Sequence, residues 1–182
     1  MTDVIKMPEI FLNNFVSIIE DDEERMEFLP WLMKGNVFHG LTFENLVYQM
    51  SEKLTSDYNG GYWDFTKTKK NDVGLMLYGA NKALTVANQG NYTEATVDGR
   101  IFGVIVSMMV ASHASFAFYE SKPDLAEKMA NLYHGLRDAF YATVDALAYP
   151  DEEIDYRLDV KATDEEIEQI KRMSSTVWSL LD

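Results

Sequence analysis

From Ile101 to Tyr119 the chain is almost continuously apolar, with Arg100 and Glu120 standing immediately at its ends. A run of that length makes either a membrane span or a helix enclosed by protein. Ser107, Ser112, His113 and Ser115 interrupt it, which favours enclosure. Gly103, Ser107, Ala111 and Ser115 recur at every fourth position, so a helix here carries a ridge of small side chains that lets another backbone come close. Thr96 or Asp98 supplies a cap. The expectation is a central buried helix over about 100–119, with the rest of the fold packed around it.

The flanking sequence is mixed. Ile10 to Ile19 has the spacing of a helical face, and a short helix near Glu23 to Leu29 is expected to stop at Pro30. Gly35 and Gly40 bracket a loop holding Phe38 and His39, and Thr42 caps a helix that runs to about Ser56. Asn59-Gly60 signals a turn, since both residues tolerate positive φ. Tyr62 to Phe65, Val73 to Tyr78, Leu84 to Ala87 and Tyr92 to Ala95 read as strands, with the polar stretch Lys67 to Asp72 as a turn. Pro123 starts a helix reaching about Ala148. Thr163-Asp164-Glu165-Glu166 matches a capping box ahead of Ile167, Ile170, Met173, Val177, Trp178 and Leu181, which share one arc. These elements predict an α+β fold, with a small antiparallel meander of three to four strands over about residues 61–96 packed with several helices. Residues 1–158 form the domain and 159–182 a C-terminal amphipathic helix extension.

No cysteine occurs among the 182 residues, which excludes a disulfide framework, a thiolate metal site and a cysteine nucleophile. A cytoplasmic location is the expectation, because Met1 to Pro8 lacks the basic and apolar pattern of a secretory leader. Thirty acidic against sixteen basic residues give a formal charge of −14, so phosphate is repelled and direct nucleic-acid binding is not expected. The acid is clustered in Asp21, Asp22, Glu23 and Glu24, in Asp151, Glu152 and Glu153, and in Asp164 to Glu166. Such runs are either solvated faces or an imitation of DNA phosphates presented to a DNA-binding enzyme. The first two runs are candidate partner-binding residues, together with Trp178.

Catalytic machinery is not recognisable. The chain has no glycine-rich phosphate loop, paired-histidine zinc helix or Gly-x-Ser-x-Gly elbow. Asp57-x-Asn59-x-Gly61 opens like a calcium loop, but Tyr62 stands where glycine is needed and Thr68 where a bidentate acid is needed. His39, His113 and His134 share no metal-ligand spacing. His134, Arg137 and Asp138 share one side of a helix, as an internal network in which Arg137 pairs with a carboxylate or as a site for an acidic partner. Tyr62, Trp63 and Phe65 offer an aromatic platform for bases or, with no basic groove beside them, a packed hairpin. No catalytic residue, cofactor or metal is expected, and the chain reads as a non-enzyme.

Taken in order, several segments carry a family resemblance: Arg25 with Phe28-Leu29-Pro30, Glu44 with Val47-Tyr48 and Met50, Tyr58 through Phe65 including Gly60, Gly61, Tyr62 and Trp63, Ala95 to Asp98, and Tyr133-His134 with Leu136-Arg137-Asp138. The set, spanning Arg25 to Asp159, resembles the ArdB/KlcA antirestriction family of plasmids, phages and genomic islands. The resemblance implies a compact α+β inhibitor of the host's type I restriction-modification enzymes, with that enzyme as partner, no membrane association, and the motif residues serving the structure. A homo-oligomer is compatible with it. This sequence departs from the family pattern in the lysine-rich Lys67 to Asp72, where a short Ser-Asn-Gly-Gly turn is usual, in Asp151 to Arg157, and in the helix after Thr163. Two functions follow as expectations: an antirestriction protein acting by protein contact or acidic mimicry of DNA, and, as the alternative, a phage or mobile-element adaptor docking through its last helix.

Overall fold

The computed structural model describes residues 3–79, 81–150 and 155–182. In chain order its elements are α1 (Glu9–Phe15), β1 (Val16–Ile18), α2 (Asp22–Leu32), α3 (Val37–Leu54), β2 (Trp63–Thr68), β3 (Gly74–Tyr78), β4 (Ala83–Asn88), β5 (Thr93–Asp98), α4 (Gly99–Ala117), α5 (Pro123–Ala148) and α6 (Asp164–Leu181). The expected α+β architecture is present.

Helix α4 organises the rest. Asp98 caps it by accepting from the Ile101 N–H at 2.9 Å, and its other carboxylate oxygen accepts from the Met7 N–H at 2.8 Å, so one side chain ties the N-terminal segment to the helix start. Burial raises the Asp98 carboxyl above its ordinary value, against the pull of these hydrogen bonds and of Arg100. Thirteen of the α4 residues are buried, from Gly99 to Ala114. By length and composition this helix would pass for a membrane span, yet 67% of its apolar window lies inside the protein.

The small-residue ridge of α4 meets strand β3. A Cβ placed on Gly103 would lie 2.7 Å from both the Leu77 Cα and the Tyr78 nitrogen, so only glycine fits this crossing. One turn on, the Ser107 hydroxyl accepts from the Met76 N–H at 3.2 Å and donates to the Met76 carbonyl at 3.1 Å. These two groups point away from β2, which pairs with β3 along its opposite edge with Phe65 facing Met76. The serine therefore does for β3 what a further strand would have done. Ser107→Ala should orphan both buried groups and cost about 1–3 kcal/mol, read as a lower urea midpoint at unchanged slope.

That contact explains why the expected single meander is two sheets. β1, β2 and β3 form an antiparallel sheet in that order, and β4 pairs only with β5, Leu84 facing Val97. With its outer edge occupied by α4, β3 has no ladder left for β4. The N-terminal segment adds to the second sheet instead, Ile5 bridging Val97.

Three local expectations need correction. The helix expected over Ile10 to Ile19 ends at Phe15, and Val16 to Ile18 pairs with Thr68 to Thr66. β-branched Val16 and Ile18 suit the strand, and β2 offers the edge. Helix α2 continues through Pro30 to Leu32. Proline removes a bond only to the Met26 carbonyl, and that residue is largely exposed, so water replaces the loss. Finally, Phe38, His39 and Gly40 are helical, because Asn36 rather than Thr42 caps α3 by accepting from the His39 N–H at 3.0 Å. A side chain at Gly40 would run into the Leu29 carbonyl, so the glycine allows α3 to cross α2 closely.

Helix α6 begins with the expected capping box, Thr163 and Glu166 bonding each other's backbone N–H. Its Ile170, Met173, Val177 and Leu180 are fully buried in the common core. Asn88 and Asn91, at the β4–β5 hairpin, donate to the Leu180 and Ser179 carbonyls at 2.9 and 2.8 Å, satisfying the end of the helix.

Candidate functional site

The two motif segments occupy different parts of the fold. Around Tyr58 to Phe65, Gly60 and Gly61 take φ values of 82° and 146°, conformations open chiefly to glycine. The turn brings the Gly60 carbonyl to the Tyr78 hydroxyl, which donates to it at 2.6 Å. The Trp63 indole N–H donates to the Tyr58 hydroxyl at 3.3 Å, and the rings of Tyr58, Trp63, Tyr78 and Phe102 contact one another with centroids as close as 5.0 Å. This aromatic knot joins the turn, both strands and α4.

The α2 residues lock on beside it. Phe28 stacks on Phe65 at 4.5 Å, and the Arg25 guanidinium lies between Tyr62 and Phe65, 5.1 and 4.9 Å from their centroids, while donating to the Ile19 and Trp63 carbonyls. Leu29 packs against the core from the half-buried face, and Pro30 sits in the last helical turn. Trp63 is buried and Phe65 is covered by Phe28 and Arg25, so the platform for bases is not formed; Tyr62 alone remains in water.

On α5 the residues His134, Arg137 and Asp138 go to separate neighbours. Asp138 accepts from Lys70 Nζ at 2.6 Å and from Asn71, which ties the helix to the β2–β3 turn. His134 is exposed, its ring edge-on to Tyr133 at 5.5 Å. Arg137 lies over the Trp178 ring at 5.3 Å, and Trp178 meets Tyr141 edge to face at 6.0 Å. Among the described residues Arg137 thus meets an aromatic face where the sequence suggested a carboxylate. Among the described residues the Tyr141 hydroxyl is buried with no hydrogen-bond partner, and burial pushes its pKa up to about 12, so it keeps its proton. Sequence reasoning named Tyr133 only as part of a motif and missed Tyr141; the signal was their spacing of four on either side of Arg137.

The acidic runs sit at helix starts. Asp21 caps α2 by accepting from the Glu24 N–H at 3.0 Å, with Asp22, Glu23 and Glu24 exposed in its first turn. Asp164 to Glu166 take the same place in α6. Negative charge is favourable there, against the unpaired N–H groups of the helix end. Asp151, Glu152 and Glu153 lie outside the described residues. Among the described residues no group of three His, Asp or Glu side chains could hold a metal ion. His39 faces Lys128 and Asp124 between α3 and α5, and burial, with the Lys53 charge adding to it, lowers the affinity of His113 for a proton.

The model of the antirestriction protein family matches residues 56–149, just over half the chain. This chain belongs to that family. The matched stretch runs from the Tyr58 turn through β2 to β5 and α4 to the end of α5, leaving out β1. Among curated relatives, the putative antirestriction protein YubI of Escherichia coli K12 is 27% identical over 106 residues, covering 58% of this chain and 72% of the relative. Among solved structures, that of the KlcA and ArdB proteins superimposes with a TM-score of 0.63 at 17% identity, covering 92% of this chain and 95% of the other. Those proteins are described as a novel fold with antirestriction activity against type I DNA restriction systems in vivo but not in vitro. At that identity the likeness establishes the shared antirestriction fold.

Proposed function

We propose that this antirestriction-family protein inhibits a type I restriction-modification enzyme by surface contact, without chemistry of its own. The observation that carries the reading is the fate of the family's motif side chains. Arg25, Phe28, Trp63 and Asp138 are spent on packing and on bonds between elements, and His134, the group best suited to proton transfer, is exposed with the Tyr133 ring edge-on to it. A protein whose distinctive residues build its shape acts through that shape.

The contact form is favoured over acidic mimicry of DNA because both described acidic runs already serve helix starts. An adaptor role through the last helix has less support, since the apolar face of α6 is used in the core. Unmodified phage plated on hosts carrying type I systems, with and without this protein, tests the function; no relief across several systems would reject it. A living host is the right setting, because KlcA and ArdB act in vivo but not in vitro. Replacing Asp22, Glu23 and Glu24 by Asn, Gln and Gln should cost less than about 1 kcal/mol of stability and leave relief within about twofold of the parent. Abolished relief with the fold intact would restore mimicry.

A further inference from the structure

Asn59-Gly60 is the one place where asparagine precedes glycine in this chain, and it lies in the irregular stretch between α3 and β2. With no side chain on the glycine, its peptide nitrogen can swing onto the asparagine side-chain carbonyl, unless the fold holds the two groups apart. Here the fold holds neither. Asn59 is exposed, and among the described residues its side-chain amide makes no hydrogen bond and the Gly60 N–H has no acceptor. Nothing lies within 4 Å of where a Gly60 Cβ would stand, so the nitrogen has room to move. Other asparagines are engaged: Asn36 accepts from the His39 N–H, Asn71 donates to the Gly135 carbonyl at 2.9 Å, and Asn88 and Asn91 donate to the end of α6. Each of these four also precedes a bulkier residue.

We propose that Asn59 is a self-modification site, at which the Gly60 nitrogen attacks the Asn59 side-chain carbonyl carbon and closes a succinimide ring. The bond from that carbon to the amide nitrogen breaks, and ammonia leaves carrying the proton that Gly60 gives up. Water then opens the ring. Cleavage between the Gly60 nitrogen and the side-chain carbonyl yields aspartate, whereas cleavage at the main-chain carbonyl yields isoaspartate, whose main chain runs through the former side chain. Either product adds a negative charge, and water is the only co-reactant.

The two products differ in what they do to the fold. Isoaspartate lengthens the main chain by a methylene between Tyr58 and Gly60, and both neighbours are anchored in the aromatic knot: the Tyr58 hydroxyl accepts from the Trp63 indole, and the Gly60 carbonyl accepts from the Tyr78 hydroxyl. The next residue leaves no slack, since a Cβ on Gly61 would stand 2.7 Å from the Tyr78 hydroxyl oxygen. A longer chain must pull the turn off Tyr78. Aspartate keeps the original chain length and the knot with it. This chemistry proceeds whether or not the partner is a restriction enzyme.

The test keeps the full-length protein at physiological temperature and mildly alkaline pH, native and unfolded in urea, and maps its peptides over time. Conversion is read as the mass gain from amide to acid, and isoaspartate as methyl transfer by an isoaspartate-specific methyltransferase. Asn59 should convert before any other asparagine, at a native rate within about tenfold of the unfolded one. The isoaspartate fraction of the aged protein should melt about 3 °C or more below the parent, while freshly made Asn59→Asp melts with it. Aged Asn59→Gln, which must close a larger ring, should keep its midpoint. A native rate slowed by more than that tenfold, or another asparagine converting first, would overturn the site. An isoaspartate fraction that melts with the parent, or an equal fall in aged Asn59→Gln, would overturn its link to the aromatic knot.

Discussion

Gly103→Ala is expected to destabilise the protein by about 3 kcal/mol or more, at the upper end of overpacking costs. The sign is informative, because alanine inside a helix is ordinarily about 0.5–1 kcal/mol better than glycine. Here the new methyl would stand 2.7 Å from the Leu77 Cα and the Tyr78 nitrogen and 2.8 Å from the Met76 carbonyl oxygen, all main-chain atoms of a strand with both faces buried. Main chain in that position cannot turn aside as a side-chain tip can. Relief of the clash would require α4 to lift from β3, which would also stretch both Ser107 hydrogen bonds. Thermal unfolding should show the midpoint lowered by roughly 6–12 °C for a chain of this size. A midpoint unchanged or raised would mean that helix and strand are not in contact along the ridge.

Trp63→Ala is expected to cost about 3–5 kcal/mol and, through loss of folded protein, most of any restriction relief. The indole is 5% exposed, contacts Tyr58, Tyr78 and Phe102, and its N–H has a partner in the Tyr58 hydroxyl. Removing it opens a cavity where the turn, β2, β3 and α4 converge. Its neighbour Tyr62, 64% exposed with only the Arg25 guanidinium over its ring, should tolerate alanine at a cost of about 1 kcal/mol or less. Chemical denaturation of the two variants side by side measures the contrast. Equal, small losses would mean that the aromatic knot does not hold the fold, and relief lost only in folded Tyr62→Ala would move that face from structure to recognition.

Much of the fold could be read from local chemistry. The apolar run and its small-residue ridge announced α4, the Thr163 capping box announced α6, and Asp98 was one of two caps named for the central helix. Each of these signals acts within a few residues. What escaped depends on partners far along the chain. Val16 to Ile18 is a strand because β2, some fifty positions later, has an open edge, and nothing within the segment distinguishes that from one more helical turn. Pro30 reads as a stop, yet helix geometry tolerates it where the freed carbonyl meets water. The split into two sheets hinged on a single hydroxyl: Ser107 was visible as a small residue, but not as a group that would bond a strand edge. Around the candidate site, Arg137 invited a search for carboxylates, whereas its neighbour in space is Trp178 on another helix. Tyr141 attracts notice only once its hydroxyl is seen to lack company.

The Ser107 bridge carries a consequence for how this molecule meets others. A β-ribbon whose rim is open invites foreign chains to lie alongside it, which is how many adaptors capture tails and how misfolded proteins grow into fibres. At β3 that invitation is withdrawn, since the main-chain groups at its midpoint are engaged by a side chain from the molecule's own interior helix. Whatever this protein grips there, it must grip with its side chains.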